Sequence, residues 1–128
     1  MKYMLDTNIC SYIIKGLIKK EKLINKNIIL SSIVVSELLY GAKKKNSKKL
    51  FLIVDTFVNS FDVLDFDIKA AKEYAKIRVE LENNGLIIGA YDMQIAAHAK
   101  SINAVLVTNN EKEFKRINNL KIENWVKG

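Results

Sequence analysis

A chain of 128 residues that is 49% hydrophobic and 27% charged has the length and balance of one globular domain and is too apolar to stay disordered. Its single cysteine, Cys10, excludes an intrachain disulfide scaffold and a zinc finger, and it fits a reducing, cytoplasmic setting. The longest unbroken apolar run, Leu50 to Val54, is far short of the ~20 residues that cross a bilayer, and no signal-peptide pattern opens the chain, so neither a secreted nor a membrane protein is expected.

In chain order, Lys2 to Leu5 is a short apolar strand ending at Asp6, and Asn27 to Leu30 is a second. Ser31 or Ser32 is placed to cap a helix through Ile33, Val34, Glu37, Leu38 and Gly41. Lys43 to Lys49 reads as a helix end or solvated turn. Leu50 to Phe61 has apolar residues at helical spacing and more on its other sides, as in a helix packed against the core or against a second subunit. Val63 and Leu64 suit a strand. Ile68 to Glu82 is an amphipathic helix with Ala71, Tyr74, Ala75, Arg78 and Leu81 on one side, and Asn84-Gly85 ends it. A further helix spans about Ala90 to Ser101, a buried strand Ala104 to Val107, a short helix Glu111 to Ile117, and a last edge strand Lys121 to Trp125. With no proline, repeat or linker, residues 1–128 read as one α/β domain with a central, mostly parallel sheet flanked by helices.

The formal charge of +7 is unevenly spread. Residues 1–50 hold eleven lysines against Asp6, Glu21 and Glu37, a balance of +8, whereas the remainder stands at −1. A positive field in one half suits a protein that steers nucleic acid onto one face, although lysine is also the usual residue of any solvated face.

Three acids sit in unusual surroundings. Asp6 directly follows the first strand; Glu37 lies among Ile33, Val34, Val35, Leu38 and Leu39; Asp92 shares a helical face with Ile95, Ala96 and Ala99. In open parallel sheets ligands sit beyond the carboxyl ends of the strands, where Asp6 and the segment Thr108 to Asn110 fall if their strands are neighbours. A carboxylate on an apolar face costs several kcal/mol unless paired or bound to a metal, and the only strong cationic candidate is Arg78. Each acid alone can be a helix cap or a hidden ion pair. Together they repel one another, and a hard divalent cation removes that conflict; an all-oxygen donor set selects Mg²⁺ or Mn²⁺. Such an ion, with a basic half that attracts phosphates, suits phosphodiester hydrolysis, and charge alone does not separate RNA from DNA.

Met4-Leu5-Asp6-Thr7-Asn8, Ser31 to Leu38 with Gly41-Ala42, Ala90 to Ala99, and Leu106-Val107-Thr108-Asn109-Asn110 followed by Glu113-Phe114 and Glu123-Asn124-Trp125 resemble the PIN-domain signature over essentially the whole chain. Among PIN domains the chain most resembles the VapC toxins of bacterial toxin–antitoxin pairs. The resemblance implies a Mg²⁺- or Mn²⁺-dependent endoribonuclease with Asp6, Glu37 and Asp92 as metal ligands, neutralised by a VapB-type antitoxin. It further implies a homodimer formed through helices of the first half, and a tRNA substrate cut in the anticodon region to leave a 5′-phosphate and a 3′-hydroxyl. The alternative is a PIN-like RNA-binding or scaffold module without activity, against which the presence of all three acids speaks.

The chain departs from the family at Asn110, where many PIN domains carry a fourth acid, and at Leu86-Ile87-Ile88, where close relatives more often place Arg-Pro. Asn110 can hold a water through its carbonyl but adds no charge; Glu111 or Glu113 can substitute, with Glu113 expected to face solvent. Thr7 and Thr108 can orient a phosphate or water, or cap their segments. Asn8 can do the same or cap the following helix. Arg78 can contact phosphate, pair with a site carboxylate, or form a structural ion pair. His98, six residues or about 600° beyond Asp92, points away from it and reads as structural. Cys10 reads as a small buried hydrophobe. Tyr40, Tyr91 and Trp125 can stack on bases or pack in the core.

Overall fold

The three most apolar short runs form the middle of a parallel sheet. In the computed structural model, which describes residues 1–126, β1 (Lys2–Leu5) is flanked by β2 (Asn27–Ser31) and β4 (Val105–Val107), with β3 (Asp62–Leu64) and β5 (Ile122–Glu123) at the edges. The order is β3-β2-β1-β4-β5 and every pairing is parallel. Met4 lies level with Ile29 on one side and Leu106 on the other, and all three are buried. Strands covered on both faces carry continuous apolar runs, so Ile28-Ile29-Leu30 and Val105-Leu106-Val107 show no polar alternation.

Helices α1 (Thr7–Ile14), α2 (Ser32–Lys44), α3 (Lys48–Asn59), α4 (Ile68–Asn83), α5 (Ala90–Ser101) and α6 (Glu111–Phe114) complete the domain. α2 starts where expected, with the Ser31 hydroxyl accepting from the Ile33 amide at 3.1 Å. Gly85 follows α4 at φ +67° and Asn46 turns the chain between α2 and α3 at φ 52°, the left-handed region that Gly and Asn enter at least cost.

Four expectations change. The buried side of α4 is Ala70, Ile77 and Leu81, while Ala71, Ala75 and Arg78 are exposed. α4 packs most extensively on α5, and centring the contact on the large Ile77 and Leu81 removes more apolar area from water than Ala71 and Ala75 would. α3 begins at Lys48, capped by Ser47, and buries only Val54. α6 stops at Phe114, after which the Arg116 and Ile117 amides bond three residues back, and Ile117 plugs the core. The last strand is two residues long because the Asn124 side chain accepts from the Val126 amide at 2.9 Å and turns the chain. That turn tucks Trp125 into the core against Tyr3 at 5.8 Å.

Candidate metal centre and nuclease site

The order of strands reverses between β1 and β4, so the segments leaving their carboxyl ends part and open a crevice there. Asp6 enters it from β1 and Thr108 to Asn110 from β4, as their pairing requires. The Asp6 amide donates to the Val107 carbonyl at 3.1 Å, which fixes the aspartate at the rim of the sheet.

Asp6 is also the N-cap of α1, its Oδ1 accepting from the Ile9 amide at 2.9 Å. Asn8 therefore caps nothing and stands exposed in the first turn. Burial pushes the Asp6 carboxyl up to about 6, and the charges of Asp92 and Glu37 push the same way; hydrogen bonds from the Thr108 hydroxyl and the Ile9 amide oppose them. Glu37, in the second turn of α2, accepts from the Thr7 hydroxyl at 2.9 Å. Asp92 lies in the first turn of α5, where the helix dipole favours a negative charge. Its carboxyl is raised by burial first, then by Glu113 and Glu37. Gly89 leaves that carboxylate uncovered, since a Cβ there would lie 3.8 Å from Asp92 Oδ2.

The three expected acids thus feel one another across three separate elements. A fourth joins them. Asn110 donates its side-chain amide to Glu113 Oε2 at 2.9 Å, which holds Glu113 half-buried and turned toward Asp92 instead of toward solvent. The spacing of this pair, a helix N-cap and the third residue after it, is a recognisable signal in the sequence. Asn110, uncharged itself, thus steers an acid. The Thr108 hydroxyl links the two halves of the crevice, accepting from the Asn110 amide at 2.9 Å while bonding Asp6.

None of the four carboxylates is in an ion pair among the described residues, whose salt bridges use Glu73 and Glu82 instead. Arg78 lies outside the cluster, exposed, bonded to the Tyr74 hydroxyl at 3.1 Å and paired with Glu82 at 3.7 Å. In this conformation no three acidic, histidine or cysteine side chains among the described residues converge tightly enough to enclose an ion. Local hydrogen bonds draw Asp6 to α1, Glu37 to Thr7 and Glu113 to Asn110. The donor set nevertheless fits a hard divalent cation: oxygen only, drawn from four elements, and in no ion pair with a lysine or arginine among the described residues.

Other polar candidates are structural. His98 is buried, its Nδ1 is 2.7 Å from the Ser31 hydroxyl, its ring meets Phe66 edge-on at 5.6 Å, and burial lowers its pKa. Cys10 is buried, and burial raises its thiol well above the ordinary value. Trp125 is in the core, while Tyr40 and Tyr91 are exposed. The lysines of the first half do not line the crevice mouth as a block. Lys15, Lys19, Lys20, Lys22 and Lys26 follow α1 and precede β2, at the opposite end of the sheet, and the run from Lys43 to Lys49 joins α2 to α3.

A five-stranded parallel sheet with carboxylates gathered at its switch point is the arrangement of a PIN domain, and the PIN-domain family model matches residues 3–120. The chain is similar to ribonuclease VapC2 of Rickettsia felis, with 48% identity over 99% of this chain and 100% of that protein. It is also similar to the tRNA(fMet)-specific endonuclease VapC of Shigella flexneri, with 39% identity over 98% of each. Its fold matches the crystal structure of VapBC2 from Rickettsia felis bound to a DNA fragment from their promoter, with a TM-score of 0.90 and 46% identity, covering 98% of this chain and 99% of that one. The chain belongs to the PIN-domain family and, within it, to the VapC ribonucleases.

Proposed function

We propose that the chain is an endoribonuclease toxin that uses Mg²⁺ or Mn²⁺ to hydrolyse RNA and is neutralised by a VapB-type antitoxin. The observation that carries this reading is the set of carboxylates, Asp6, Glu37, Asp92 and Glu113, which act on one another at the switch point and are in no ion pair among the described residues. Asp6, Glu37 and Asp92 would hold the ion, with Glu113 adding charge from the position Asn110 gives it. The ion would supply Lewis-acid activation of a water and neutralise charge on the phosphodiester. Thr7 fixes Glu37 and Thr108 fixes Asp6, so the carboxylates are held by neighbours that carry no charge. Attack by water in line with the O3′ leaving group breaks the P–O3′ bond and leaves a 5′-phosphate and a 3′-hydroxyl.

The name of the Shigella flexneri relative supports tRNA as substrate, and the VapBC2 complex supports the antitoxin partner; a cut in the anticodon region is what the family resemblance implies. Exposed Leu52 and Ile53 on α3 support pairing of two copies through helices of the first half. Among the described residues no helix is long and apolar enough to cross a membrane. A tRNA substrate would make the cytoplasm the working compartment. Incubating the purified chain with total RNA, with Mg²⁺ or with EDTA, and sequencing the new ends tests this directly. Cleavage at defined tRNA positions that EDTA abolishes is the expected result; cleavage indifferent to EDTA contradicts the metal, and intact RNA in every condition contradicts the enzyme.

A further inference from the structure

We infer that the face of α2 running from Glu37 to the lysine run is the track along which the substrate RNA continues beyond the cut. This rests on the reading of the chain as a ribonuclease. Glu37 and Lys44 are seven residues apart, hence within about 20° of one another around the helix and about 10 Å apart along it. Tyr40 lies between them, about 60° off that line and 65% exposed, with the Lys44 ammonium 6.0 Å from its ring centre. The next residue, Gly41, borders open space, since a Cβ there would meet nothing within 4 Å. Lys44 continues that line, Lys45 and Lys43 lie about 80° and 120° to either side of it, and Lys48 opens α3; all four are exposed and none is in an ion pair among the described residues.

No acid stands between Glu37 and Asp55, so the helix face passes from a cluster that requires a cation to a surface of uncompensated positive charge. An exposed aromatic ring beside free lysines is the pairing that single-stranded RNA recognises, the ring stacking on a base and the ammonium groups taking phosphates. The stretch is short enough for one extended strand to touch both ends. Tyr40 and the lysines are positioning residues here: they touch RNA away from the scissile phosphate.

The test compares Tyr40→Ala with a variant carrying Lys43, Lys44, Lys45 and Lys48 changed to Gln, all at exposed positions. Two substrates are used: full-length tRNA, and a minimal RNA ending one nucleotide to either side of the cut. Expected is a KM for tRNA raised roughly 5- to 100-fold by Tyr40→Ala, with kcat unchanged, the minimal RNA unaffected, and Tyr40→Trp restoring the parent value. Binding is measured separately in an Asp6→Asn background, where removal of the lysines should flatten the plot of log affinity against log salt by roughly 0.7 for each phosphate no longer neutralised. An unchanged KM and salt slope overturn the track, and so does an equal loss with the minimal RNA. Absence of cleavage by the parent chain would count against the enzyme alone, because the binding slope decides the track by itself.

Discussion

Asp6 carries two duties that pull in opposite directions. As the N-cap of α1 it needs only a side-chain oxygen for the Ile9 amide, but as a charge it sits buried beside Asp92 and Glu37. Asparagine keeps the first duty and discards the second, being as good a cap as aspartate. Asp6→Asn should therefore abolish RNA cleavage and growth arrest while stabilising the ion-free protein at neutral pH by up to about 3 kcal/mol, the equivalent of a carboxyl raised from 3.8 to about 6. The sign follows from the folded carboxyl titrating above the unfolded one. The contribution of the protonated acid is complete below 3.8 and is lost as pH rises to about 6, so denaturant melts of the two proteins should converge at low pH and separate across that window. Glu113→Gln makes the complementary case. It should let Asp92 titrate nearer the ordinary carboxylate value and weaken Mn²⁺ binding about 10-fold or more, readable by NMR titration and calorimetry. Asp92 titrating unchanged in that variant would place Glu113 outside the site.

At the level of elements, the crevice depends on α2 and α5 keeping their places, since one carries Glu37 and the other Asp92. The buried contact between the Ser31 hydroxyl and His98 Nδ1 ties the start of α2 to the far end of α5. Ser31→Ala removes both that hydrogen bond and the α2 cap, and should cost about 2–4 kcal/mol in denaturant unfolding. Because burial holds the His98 pKa below 6.5, its neutral form favours the fold, and this contribution is lost as pH falls below 6.5, opposite in sign to that of Asp6. Most of this framework is legible in the residues. Strong apolar runs and serine caps mark β1, β2 and α2, and the α5 limits coincide with those expected. What periodicity does not reveal is which side of α4 meets α5, because Ala71 and Ala75 look as apolar as Ala70 and only the partner surface decides. The orientation of Glu113 is hidden for a similar reason: a glutamate on a short exposed helix reads as solvated until Asn110 is seen to hold it.

For the molecule as a whole, the net charge of +7 conceals a separation of charge. Lysines gather at the end of the sheet away from the crevice and at the α2–α3 junction, while the acids that matter converge at the switch point. Composition shows the first half to be basic but cannot show that Asp6 and Glu37, two of its three acids, are turned inward. The exposed Leu52 and Ile53 belong to the same scale, and for the proposed homodimer Leu52→Glu should give a monomer in sedimentation without loss of helix content, whereas a parent chain that sediments as a monomer contradicts the pairing. The deepest dependence is on the cluster of carboxylates at the switch point, and calorimetric titration of the chain with Mn²⁺ near pH 6, where Asp6 is about half protonated, tests it most directly. Saturable binding with release of protons, lost in Asp6→Asn, is the result expected from a buried carboxyl raised to about 6. Absence of binding, or binding that Asp6→Asn leaves intact, would contradict it.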